Sequence, residues 1–182
     1  DGGPVHYAVG TVVRYNGSEG SFDVELLNED APIAVGNFLS YLDDWDNLVA
    51  QRLADLTGTD GDILQLGRFT HDGQTLVEVT QKPSIQNEHD PNNSNDRGTL
   101  SMALQSGNPD SGSRESFFNL SDQTTFLGDP SRLHTVFGRV IGTGVEDALD
   151  SVRDLTTHDI NQSFGQPLGG PLSSVPLKDY IS

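Results

Sequence analysis

The chain has 182 residues, a formal net charge of −17 and no cysteine. That length suits one domain with a continuous core, and the missing cysteine excludes disulfides and thiol chemistry while leaving the redox compartment open. Lysine occurs only at Lys82 and Lys178, so nothing could neutralise a row of phosphates, and nucleic acid is excluded as a partner.

No apolar run approaches the roughly 20 residues that span a bilayer, so no membrane insertion is expected. The opening Asp1-Gly2-Gly3-Pro4 carries no signal-like segment and reads as a mature or trimmed start. The acidity, mostly aspartate, fits either a surface solvated for high salt or an ordinary acidic protein.

In chain order, Val9–Tyr15 and Ser21–Leu27 read as strands around the turn Asn16-Gly17-Ser18-Glu19-Gly20. Phe22, Val24 and Leu26 alternate with Asp23 and Glu25, the period of a half-buried strand. Asp30 stands where an N-cap belongs, Pro32 falls in the first turn, and Val35, Phe38, Leu39 and Leu42 follow at helical spacing.

Residues 49–62 lack periodicity and contain the turn-rich Thr57-Gly58-Thr59-Asp60-Gly61. Strands are expected again at Ile63–Phe69 and Thr75–Thr80, then a polar loop from Gln86 to Asp96. Thr99–Leu104 and His134–Ile141 read as strands, with the loop-rich stretch Gly107–Arg132 between them. Val145, Ala148, Leu149 and Val152 mark a second amphipathic helix. Gly165–Pro171 is rich in Gly and Pro, and Val175–Ile181 is compatible with a last strand. Many short strands with two helices predict an all-β fold.

Several chemical signatures fail on inspection. Asp90, Asn92, Ser94 and Asp96 alternate as in a calcium loop, but Asn95 stands where glycine is required and Ser101 where the bidentate Glu belongs. Gly142-Thr143-Gly144 lacks the third glycine of a dinucleotide fingerprint, and no Gly-x-Ser-x-Gly element exists. No metal or cofactor is expected.

Three blocks remain: Arg97–Ala103 (RGTLSMA), Ser116-Phe117-Phe118-Asn119-Leu120, and His134-Thr135-Val136-Phe137-Gly138-Arg139-Val140. In that order and at those separations they resemble the second half of a cyclophilin, the family of peptidyl-prolyl cis-trans isomerases. The opening strand pair and the stretch EDAPIAVGNFLSYL resemble the family's first half. The resemblance implies a single domain over residues 1–182: a closed eight-stranded antiparallel β-barrel capped by two α-helices. It also implies isomerisation of Xaa-Pro bonds in unfolded or flexible polypeptides, by a monomer without cofactor.

Residue by residue, Arg52 in Ala50-Gln51-Arg52 is similar to the family's catalytic arginine. Gly61-Asp62-Ile63-Leu64-Gln65-Leu66-Gly67 stands in place of the next motif. By resemblance Ile63 lines the proline pocket and Gln65 bonds the substrate backbone, while Asp62 replaces a pocket aromatic. Ala103 and Leu104 pair with the peptide, Phe118 floors the pocket with Leu127 and His134 beside it, and Phe126 forms part of the rim.

The family's Phe-His before the arginine is absent, Ser116 replaces a glutamine, and the gap from Arg52 to Gln65 is longer than in the family. Arg52 is thus also readable as a surface arginine paired with an aspartate. Phe117 and Phe118, adjacent on a strand, face opposite ways, and either is readable as plain core. Two rivals to the enzyme follow: a module that binds proline-containing peptides without catalysis, and a domain whose groove is filled by the insert. The loop-extended, acidic style resembles exported bacterial relatives, which leads to an expected periplasmic or secreted location.

Overall fold

The computed structural model describes residues 11–17, 20–56, 62–127, 129, 131–142, 145–164 and 170–176. The opening Asp1–Pro4, the start of the first expected strand, part of the Asn16–Gly20 turn, the Thr57–Gly61 insert, most of Gly165–Pro171 and the final strand beyond residue 176 lie outside them.

The first half runs β1 (Val12–Gly17), β2 (Gly20–Leu26), α1 (Pro32–Leu39), β3 (Leu48–Ala54), β4 (Ile63–His71) and β5 (Leu76–Glu78). The second half runs β6 (Thr99–Met102), β7 (Ser116–Asn119), α2 (Thr124–Leu127), β8 (Val136–Ile141), α3 (Val145–Arg153), β9 (Thr157–His158) and β10 (Val175–Pro176). Eight strands form one antiparallel sheet in the order β1-β2-β8-β6-β7-β4-β3, with β5 attached to β4; β9 and β10 make a separate pair.

The closed barrel expected from the sequence is therefore corrected to an open sheet. Its path ends at β1 and at β3, and among the described residues no pairing joins the two. The outer edge of β3 is occupied instead by the segment leading into β10. Leu53 N–H donates to Ser174 O at 2.8 Å, and Arg52 bridges Ser174 in parallel. A strand edge already hydrogen-bonded there is not free to close a ring.

Other expected ranges change as well: β7 and α2 lie inside the Gly107–Arg132 stretch that read as loop-rich. Residues 49–54, the first part of the stretch that looked irregular, belong to the strand β3, whose pairing with β4 shifts register between Val49 and Ala50 and again between Ala50 and Arg52. Such a bulge breaks the period-2 pattern that strand recognition depends on. Helix α1 starts one residue later than expected, at an Ala31 cap whose side chain bonds nothing. Its first amides are capped from far along the chain: Glu88 Oε1 accepts Ile33 N–H at 3.0 Å and Glu88 Oε2 accepts Ala34 N–H at 2.8 Å. Ala34, Val35 and Phe38 are buried, whereas Leu42 lies past the helix end and is exposed.

The main core gathers Val24, Leu26, Phe38, Leu100, Phe118 and Phe137, and Leu149 of α3 packs into it. Phe118 meets Tyr15 and Phe22 edge-on at centroid distances of 5.2 and 5.3 Å. A second, smaller cluster forms from Ala54, Ile63, Phe117 and Leu127, with Leu56, Ala103 and Phe126 against it. No helix among the described residues is long and apolar enough to cross a membrane.

Candidate functional site

The second cluster floors a cavity of about 280 Å³. Strand register explains who faces it. On β4, Ile63 and Gln65 are two apart and share a face. Gln65 lies opposite Arg52 on β3 and opposite Phe117 on β7, and cross-strand partners point to the same side of a sheet. Leu64 and Phe118, paired one step along, point to the other side.

Eight of the nine residues that the sequence singled out line this cavity: Arg52, Ile63, Gln65, Ala103, Leu104, Phe126, Leu127 and His134. The ninth does not. Phe118 is 0% exposed in the main core, and Phe117 takes the expected place in the cavity wall. A slip of one residue along a strand exchanges its two faces, which is the whole of this correction. The signal was present in the chain: Phe118 and Leu120 make an alternating apolar face, leaving Phe117 to the opposite one.

Asp62, read as the replacement for a pocket aromatic, stays out of the cavity. It is 1% exposed and closes the base of the insert, its carboxylate accepting Leu56 N–H at 2.8 Å and the Ser121 hydroxyl at 2.7 Å. Its own N–H donates to Ala54 O at 2.8 Å. Arg52 keeps its place opposite Gln65 despite the long gap between them in the sequence.

The cavity is lined by both polar and apolar side chains. Arg52 is exposed, and its Nη1 donates to Gln65 Oε1 at 3.4 Å. The apolar side chains of Ile63, Phe117 and Leu127 line the same cavity. Arg132, which the sequence did not single out, also lines the cavity; its guanidinium lies 3.7 Å from the centroid of the Phe126 ring.

His134 stands edge-on to Phe117 at 5.3 Å. Its Nδ1 lies 2.9 Å from Met102 O, and because a carbonyl only accepts, Nδ1 carries the proton and donates. Burial pushes the imidazole pKa down from its ordinary 6.5, opposed by the Met102 bond and aided by the Arg132 and His89 charges. A depressed native value means that the unfolded chain binds the proton first. The contribution of His134 to stability is complete above the unfolded value of 6.5 and is lost as pH falls through the lower native one. The difference in urea unfolding free energy between wild type and His134→Gln should shrink from pH 8 to pH 5. A difference that is flat or grows on acidification contradicts a neutral buried imidazole.

The Asp90–Asp96 stretch is an ordinary loop in which Asp90 Oδ1 accepts both the backbone N–H and the side-chain amide of Asn92 at 2.8 Å.

The family described as "Cyclophilin type peptidyl-prolyl cis-trans isomerase/CLD" matches residues 11–168. Peptidyl-prolyl cis-trans isomerase A of Dickeya dadantii is 29% identical over 175 residues, covering 94% of this chain and 81% of the relative. A peptidyl-prolyl cis-trans isomerase of Acinetobacter baylyi is 32% identical over 164 residues, covering 87% and 81%. Among solved structures, a Cryptosporidium parvum cyclophilin type isomerase crystallised in the presence of the dipeptide Ala-Pro superimposes with a TM-score of 0.60 at 21% identity, covering 90% of each chain.

Proposed function

The chain belongs to the cyclophilin-type peptidyl-prolyl cis-trans isomerases, and on that premise we propose that it accelerates rotation about Xaa-Pro bonds in flexible polypeptides. The reaction breaks no covalent bond. Its obstacle is the double-bond character of the amide, about 18–20 kcal/mol, and uncatalysed exchange takes tens to hundreds of seconds.

As the amide twists out of plane, the prolyl nitrogen pyramidalises and regains a lone pair. A donor aimed at that nitrogen binds the twisted state better than either planar isomer, which is what lowers a barrier. Arg52 is suited to the task, being permanently charged and rigid in its fork. Ile63, Phe117 and Leu127 offer the proline ring an apolar seat, with His134 beside it. Gln65 and the Ala103–Leu104 backbone offer hydrogen bonds to the peptide. Phe126, braced by Arg132, completes the wall.

The observation that carries this reading is one cavity lined both by Arg52 and Gln65 and by the apolar Ile63, Phe117 and Leu127. Exchange spectroscopy on an Ala-Pro-containing peptide tests it. The peptide's cis and trans signals should exchange measurably within a second in the presence of catalytic protein. Signals that shift on addition while exchange stays slow would leave a peptide-binding module in place of an enzyme.

A further inference from the structure

Gln65 works only one way round. A side-chain amide has a donor end and an acceptor end, and Arg52 is served by the oxygen alone. What decides the orientation lies behind it, on the residue before β7. Glu115 Oε2 accepts Gln65 Nε2 at 2.7 Å and also Gln51 Nε2 at 2.8 Å. We propose that Glu115 is a positioning residue whose carboxylate sets the amide of Gln65 so that its oxygen faces Arg52. The inference rests on the proposed roles of Arg52 and Gln65.

A carboxylate accepts and cannot donate, so both glutamines must turn their nitrogens towards it. Their oxygens are then committed. Gln65 Oε1 takes Arg52 Nη1 at 3.4 Å, and Gln51 Oε1 takes Arg68 N–H at 3.0 Å. Gln51 is 2% exposed and fixed at both ends, which anchors Glu115 in turn. The second carboxylate oxygen, Oε1, lies 4.0 Å from Arg68 Nη1, so a cation occupies the side away from the glutamines. Arg68 is itself held by Glu78 at 3.1 Å.

The arrangement does something a direct ion pair would not. A carboxylate bonded to Arg52 would offset the charge that the prolyl nitrogen needs. With the Gln65 amide between them, Glu115 orients Arg52 without neutralising it. A glutamine at position 115 presents both a donor and an acceptor, so Gln65 is then satisfied in either orientation. Flipped, it points its N–H groups at a guanidinium that also only donates.

The test uses wild type, Glu115→Gln, Gln65→Ala and the double variant, with two readouts. Catalysed exchange of the Ala-Pro peptide should fall about fivefold in Glu115→Gln, with peptide affinity nearly unchanged, and adding Glu115→Gln to Gln65→Ala should change nothing further. An equal loss in both backgrounds overturns the proposal, because Glu115 would then act by another route.

The second readout needs no activity. The side-chain amide signals of Gln65, assigned by their loss in Gln65→Ala, should exchange slowly with solvent in wild type and faster in Glu115→Gln. Fast exchange in wild type, typical of a surface glutamine, overturns the proposal even if Glu115→Gln fails to fold. A wild type with slow Gln65 amides but no accelerated peptide exchange would refute the isomerase reading and leave the Glu115 geometry standing.

Discussion

Arg52→Ala should lower catalysed exchange of an Ala-Pro peptide by roughly a hundredfold or more, the usual cost of removing one preorganised donor from a developing charge. Peptide affinity should change little. The ground-state amide has almost no lone pair on nitrogen, so the guanidinium gains most of its interaction only as the bond twists. Stability should hardly move, because Arg52 is exposed and its hydrogen bond is a long one to a neutral amide. Arg52→Lys keeps the charge but loses the rigid fork that lets one nitrogen rest on Gln65 while another faces substrate, and should recover only part of the rate. Exchange spectroscopy with a parallel peptide titration measures both quantities. Loss of affinity in step with rate would make Arg52 a binding residue and remove the electrostatic argument.

The second large effect separates two neighbours. Phe118→Ala should cost about 3–5 kcal/mol of stability, the range for deleting a buried aromatic ring. Its ring is fully enclosed among Tyr15, Phe22 and the main core. Phe117→Leu keeps an apolar side chain and should leave the protein folded, yet it removes the flat surface against which His134 stands and a proline ring would lie. Peptide affinity should fall about tenfold, within the range for losing one good apolar contact in a pocket. Urea denaturation and peptide titration of both variants decide the matter. If Phe117→Leu binds peptide normally while a folded Phe118→Leu does not, the assignment of faces on β7 is reversed.

Local regularity was legible. The alternation of Phe22, Val24 and Leu26 marked β2, and the spacing of Val35 and Phe38 marked α1, because side-chain period follows directly from backbone geometry. The β3 strand was not, since Leu48–Ala54 carries a register shift and buries the polar Gln51 where the pattern calls for an apolar residue. The helix cap was missed for a different reason: Glu88 approaches from a distant loop, and nothing near Pro32 announces it.

Closure of the sheet was beyond local reading altogether. Whether β1 meets β3 depends on what else competes for that edge, and Ser174 does. At the site, motif order brought eight residues to one cavity. The ninth failed because adjacent phenylalanines offer two registers, and only the pairing of Gln65 with Phe117 chooses between them. Glu115 went unnoticed because a lone acidic residue in so acidic a chain carries no signal of its own.

The hydrogen bond from Leu53 to Ser174 has a consequence for how the chain comes to be folded. The backbone that covers the outer edge of the strand carrying Arg52 is made long after the strand itself. Until residue 174 leaves the ribosome, β3 presents bare N–H and C=O groups, the kind of edge on which a second nascent chain can template. Contacts between such distant segments also form slowly, since a long loop must close before they are rewarded. A protein proposed to hasten slow steps in the maturation of other chains thereby carries a slow long-range step in its own.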